Sequence, residues 1–198
     1  MNTRWYEQVC LDGLSDIARL IATVDALKVE IPRTQSNGYD MLALAISEEN
    51  WKHNINALAA FLKELLPRLS DDTSGWGEDK VMLNSEWRLW VGGVKCFVLT
   101  FAPFYQPHHP RYSPTDSAYV VFQFESAFER NGVSTMSPET LGQLSQSVMA
   151  NFENAGRWYF SEITHQSPEA LRIIKPLFPG DPPVAWWSES SLQSDGGC

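Results

Sequence analysis

Along the N-terminal third of the chain apolar positions recur at a helical rhythm, and along the middle third they fall in short continuous runs. Leu14, Ile17, Leu20, Ile21, Val24 and Leu27 share one face of a helix, which Ile31 and Pro32 are expected to stop. The stretch 33-RTQSNG-38 then reads as a turn and 39-YDMLALAIS-47 as a short buried strand. Ser47 suits an N-cap with Glu48 and Glu49 in the first turn, opening a helix whose apolar face is Trp51, Ile55, Leu58, Ala59, Leu62, Leu65 and Leu66. Pro67 is expected to end it.

Residues 70–80 are polar and carry glycine, a surface loop. Residues 86–91 and 95–101 read as two strands joined at Gly92 and Gly93, the strongest hairpin signal in the chain, and residues 118–124 as a third strand. Ser137 followed by Pro138 and Glu139 starts a further helix running to about Asn154. Residues 168–183 are punctuated by proline, and 191-SLQSDGGC-198 has the composition of a disordered tail. No internal repeat is visible. The order of elements predicts one α+β domain over residues 1–190, a mainly antiparallel sheet with helices packed on it.

Composition narrows the function more than the fold. Aromatic residues make up 12% of the chain, with eight Trp and ten Phe, a surplus that suits a ring-lined pocket as well as a core. A net charge of -9 argues against nucleic acid as a partner, since the 15 basic residues are scattered among 24 acidic ones. Cys10, Cys96 and Cys198 are odd in number and far apart, which fits a reducing, cytoplasmic setting better than a disulfide framework. No run approaches the ~18 uncharged apolar residues of a membrane span, and the N-terminus has no signal-peptide core, so no membrane partner is expected. No dinucleotide, P-loop or nucleophile-elbow motif occurs.

The chemistry-bearing stretch is 97-FVLTFAPFYQPHHPRYS-113, where a strand runs into a loop with three prolines and two adjacent histidines but no Gly, Asn or Asp. A loop that only reversed the chain would use those three residue types. Of the four histidines, His53 lies off the apolar stripe of its helix and His165 at a helix end or turn, which leaves His108 and His109. Neighbouring side chains in extended backbone point to opposite faces, so at most one of this pair would face a site. A single histidine suffices for haem in an apolar slot, and equally for a structural hydrogen bond within the loop.

The blocks 87-WRLWVGGVKCFVLTFAPFYQPHHPRYS-113, 121-VFQFESAFE-129 and, upstream, 31-IPRTQSNGYDMLALAIS-47 together resemble the YqcI/YcgG family. That resemblance implies haem b, dioxygen and N-hydroxylation of a guanidine-bearing or other cationic amino acid. It also implies His108 as the axial ligand with His109 as the fallback, and Arg111 against a haem propionate or a substrate carboxylate. Glu125 and Glu129 would hold a guanidinium. The chain departs from the family pattern at Arg33, Pro114 and Glu125, where the family commonly has Cys, Arg and, in some members, His. The alternative is a non-catalytic haem-binding or small-ligand-binding protein of the same fold, with the substrate and the oligomeric state, a homodimer included, left open. A third reading, a mononuclear metal site built from His108 or His109 with Asp116 and His165, has no supporting spacing.

Overall fold

In the computed structural model, residues 1–7, 15–46 and 49–188 are described. The N-cap expected at Ser47, together with Cys10, Leu14, Cys198 and the tail 191–198, lies outside them. Five strands form one sheet among the described residues: β1 (Thr3–Glu7), β2 (Met41–Ile46), β3 (Leu89–Val91), β4 (Val94–Phe101) and β5 (Ala118–Phe124), in the order β1-β2-β5-β4-β3. The β1 and β2 pair is parallel and the other three pairs are antiparallel. The α+β class and the mainly antiparallel sheet are as the pattern predicts. Strand β1 was not legible, because its sequence TRWYE offers a single alternation and no turn signal beside it.

Helices α1 (Asp16–Ser36) and α3 (Ile55–Leu69) cover one face of the sheet, and the short α2 (Glu49–Lys52) precedes α3. On that face Leu42 registers with Phe122 and Phe122 with Val98, while Leu44 registers with Val120 and Val120 with Thr100. All six are buried, and the apolar members form one core with Leu27 and Ile31 of α1 and Phe61, Leu62 and Leu65 of α3. Helix α1 runs through Pro32, and α3 through Pro67, where the sequence predicted stops. An interior proline costs about 3 kcal/mol, but Ile31 and Thr34 on either side of Pro32, and Leu66 and Leu69 on either side of Pro67, are fully buried. Burial of those residues holds the last turns. The single helix expected from residue 48 is broken at Asn54, whose side chain accepts from the Ala57 amide at 2.8 Å and restarts the helix as an N-cap.

The predicted hairpin is present, with β3 shorter at its start than the apolar run suggested. Gly92 and Gly93 adopt φ of 56° and 75°, and their amides donate to the two Asp71 carboxylate oxygens at 2.8 Å each. A β-carbon on Gly92 would stand 2.6 Å from Cγ of Pro32, a ring that cannot swing away, whereas one on Gly93 would meet open space. Gly92→Ala is therefore expected to lose about 2–4 kcal/mol and Gly93→Ala about 1–2 kcal/mol, read by urea denaturation. Equal losses would show that the contact with Pro32 does not matter.

The chain then adds α4 (Asp79–Met82), α5 (Glu125–Arg130), α6 (Pro138–Asn154), α7 (Ser161–Gln166) and α8 (Glu169–Arg172). Helix α6 begins as predicted, with the Ser137 hydroxyl accepting from the Thr140 amide. The proline-punctuated residues after it are not a loose tail. Ala170, Ile173, Ile174, Trp186 and Trp187 belong to the main core, and the Trp186 indole donates to the Ala170 carbonyl at 2.8 Å.

Candidate binding cavity

The second face of the sheet is where the chain leaves room. Its side chains are the odd-numbered set, Met41, Ala43, Leu99, Phe101, Tyr119, Val121 and Gln123, and with Thr3 and Trp5 of β1 they floor a cavity of about 970 Å³. Val148 and Phe152 of α6 line it from above, together with Tyr159 and Phe160, and the histidine loop closes one side with Pro110, Arg111 and Tyr112. No residue of α6 is buried, so this helix roofs the cavity without being absorbed into the core. Arg111 and Lys175 are the charged side chains of an otherwise largely apolar lining.

Both charges are placed by the proline-rich loop. The loop closes on itself through bonds from the Ala102 amide to the Arg111 carbonyl at 3.0 Å and from the Ser113 amide to the Ala102 carbonyl at 3.1 Å. Inside it His109 is fully buried and stacked on Tyr105, with ring centroids 4.0 Å apart and planes within 3°. Its Nδ1 accepts from the Arg111 amide at 3.0 Å, so its Nε2 carries the proton and donates to the Pro176 carbonyl at 3.0 Å. The Tyr105 hydroxyl donates to the next carbonyl back, that of Lys175, at 2.8 Å. Two loop side chains thus clip the backbone of residues 175–176 and fix where Lys175 projects.

Arg111 is buried with its guanidinium over the Phe101 ring, 5.2 Å from the centroid, and it donates to the Arg172 carbonyl at 3.4 Å. Burial pulls its pKa down to about 10, which leaves it fully charged at neutral pH. The Lys175 ammonium donates to Thr164 Oγ1 at 3.0 Å and lies 6.0 Å from the Phe160 centroid. Burial first, then the nearby Arg111 and Arg172 charges, lower its pKa to about 7. Neither cation has a carboxylate within ion-pair distance among the described residues. Glu169, the carboxylate that acts on both charges, is itself buried and paired with Arg172 at 3.5 Å.

The residues expected to form the site do not all meet in it. His109 has both ring nitrogens engaged, so it offers no lone pair to an iron, and its fallback role fails on that count. His108 is half-buried against the edge of Trp158 at 4.0 Å and is not among the lining residues. Glu125 opens α5 and Glu129 lies one turn further along it. Glu125 pairs with Lys95 at 2.6 Å and Glu129 is exposed. Arg111 sits by the Phe101 and Tyr119 end of the sheet and Glu125 by the Cys96 and Phe124 end. Five strand residues separate those ends, roughly 17 Å at about 3.3 Å per residue, so the pair does not clamp a small amino acid. Asp116 lines a separate shallow pocket with His53, and the side chain of His165 lies outside the described residues.

Haem fits this arrangement in part. The volume, the ring-rich walls and Arg111 suit a flat apolar body with acidic arms, but among the described residues no histidine nitrogen is presented to the cavity. Lys175, Tyr105 and Phe160 were missed by the sequence reading. The signal for Lys175 was present as a lone charge between 173-II-174 and 176-PL-177. Cys96 is free and buried, and burial pushes its thiol up to about 12, so it has no part in the site. Among the described residues no helix is long and apolar enough to cross a membrane. Compared with known proteins, the chain matches no family model, no curated protein and no solved structure.

Proposed function

We propose that this protein binds an apolar small molecule carrying an anionic head group, the apolar body lying along the open sheet face beneath α6 and the head group at Arg111. The observation that carries this reading is a cavity of about 970 Å³ whose charged side chains, Arg111 and Lys175, have no carboxylate within ion-pair distance among the described residues. Apolar walls supply area-proportional affinity without direction, and one buried guanidinium supplies direction, because a planar carboxylate can accept two of its N–H groups. Burial holds the Arg111 charge at a desolvation penalty that a bound anion relieves.

Titration with dodecanoate, followed by tryptophan fluorescence, to which Trp5 of the cavity wall contributes, is expected to saturate, and dodecanol is expected to bind more weakly. Arg111→Met should reduce dodecanoate affinity by about tenfold to a hundredfold, the equivalent of one charge-assisted hydrogen bond of ~1.5–3 kcal/mol, while leaving dodecanol nearly unchanged. Equal affinity of the acid and the alcohol for the wild-type protein would overturn the anionic assignment.

Haem-dependent N-hydroxylation, the activity that the family resemblance implies, shares the cavity and Arg111 with this reading and differs in needing an axial nitrogen. Hemin separates the two. As one more apolar acid it should bind with the same Soret band in wild type and His108→Ala, and a band lost in His108→Ala would restore the oxygenase reading.

A further inference from the structure

We infer that Lys175 is a carbonyl-reactive amine, which forms an imine with apolar aldehydes or ketones entering the cavity; this rests on the ligand-binding reading above and names a covalent step within the same site. Lys175 lines an apolar cavity while only 5% exposed, and its amine lies by Thr164 and Phe160, which line the same cavity. Among the described residues its polar contact is the Thr164 hydroxyl, which accepts from the amine at 3.0 Å and can also donate. Arg111, Arg172 and His109 face it from the loop and from α8, and Glu169 of α8 opposes them but is held by Arg172. The Tyr105 and His109 clip holds the Lys175 carbonyl and the one after it, that of Pro176, so the side chain enters the cavity from a rigid base. A lysine with a lowered pKa of about 7 has its lone pair free in a large share of molecules at neutral pH.

The chemistry needs no further reactant. The Nζ lone pair attacks the carbonyl carbon and forms a C–N bond, the displaced π pair goes to oxygen, and one nitrogen proton passes to that oxygen to give the carbinolamine. The carbinolamine C–O bond then breaks, the hydroxyl leaving with the second nitrogen proton as water, and the C=N bond forms. An apolar oxo acid would place its carboxylate at Arg111 and its carbonyl at Lys175.

The test is reductive trapping on the full chain with dodecanal and cyanoborohydride at neutral pH, followed by peptide mapping in a mass spectrometer. Hydride adds to the imine carbon and leaves a stable secondary amine that marks the site. The expected result is labelling of Lys175 about tenfold or more above Lys28 and Lys80, because surface ammonium groups are almost wholly protonated at that pH. Excess dodecanoate should suppress the label at Lys175 and leave surface labelling unchanged. Because the mapping is done on the wild-type chain, no variant has to fold for the outcome to count. Even labelling of the lysines, or an unlabelled Lys175, overturns the inference. Dodecanoate binding with Lys175 unlabelled overturns the imine and leaves the binding reading standing. A labelled Lys175 with no dodecanoate binding supports the amine chemistry and overturns the anionic head group.

Discussion

Lys175→Met is expected to make the protein more stable at neutral pH, by on the order of 2–4 kcal/mol, while removing the imine label. Methionine keeps the length and apolar stem of the side chain and discards the charge and the bond to Thr164. The sign follows from proton counting. In the unfolded chain the amine holds its proton up to about 10.5, and in the folded protein, where burial and the Arg111 and Arg172 charges oppose it, the proton leaves at about 7. Between those values the unfolded state binds more protons, so the burdened wild-type protein loses stability as pH falls from about 10.5 to 7, and the whole penalty is present below about 7. The gain from Lys175→Met should therefore be largest at or below neutral pH and shrink steadily above it. Denaturant midpoints measured from about pH 6 to pH 10 check this. A gain that does not depend on pH would mean that packing, not charge, is what the substitution changes. Stability given up at a buried amine is a mark of a residue kept for its chemistry.

How far the sequence carried the fold depended on whether the signal was local. The turn at Gly92 and Gly93 and the cap at Ser137 are decided by neighbouring residues, and both are where the pattern put them. The ends of α1 and α3 were misplaced because the cost of Pro32 and Pro67 is local, while the burial that outweighs it is tertiary. The loop of residues 102–113 stood out by its composition, and Arg111 does line the cavity. Its histidines were not legible, since the same buried ring serves as a ligand or as a hydrogen-bonded clip, and only the partners tell which. His109 proves to be the clip, with Pro176, some seventy positions on in the chain, as its acceptor. The cavity floor was hidden for a related reason. Alternating residues of four strands build it, and each strand alone reads as ordinary half-buried sheet.

Acidification is expected to undo that clip before it unfolds the sheet. His109 Nδ1 receives the Arg111 amide, so a proton added there would set N–H against N–H in a fully buried space. Burial lowers its pKa to about 4, the Arg111, Lys175 and His108 charges pull the same way, and the bond to the Pro176 carbonyl opposes them. The unfolded imidazole takes its proton near 6.5 and the folded one near 4, so stability falls as pH drops from about 6.5 to 4 and is level below that as far as this group is concerned. The loss amounts to about 3 kcal/mol over the window. Carboxylates add their own acid dependence. Asp40, held below its usual range by the hydrogen bond from Arg130, is one, so the comparison has to be between two chains. His109→Phe keeps the stacking partner for Tyr105 but leaves the Arg111 amide and the Pro176 carbonyl unmet. It should cost about 2–4 kcal/mol at neutral pH. Phenylalanine does not titrate, so the gap between the variant and the wild type should narrow by about 3 kcal/mol between pH 6.5 and pH 4. Urea denaturation of both chains at a series of pH values measures it, and a gap constant across the window would mean that His109 is not held neutral by its two bonds. Because the same clip places Lys175 and Arg111, dodecanoate affinity in the wild-type protein should fall over the same window, ahead of any loss of the far-ultraviolet circular dichroism of the sheet and helices.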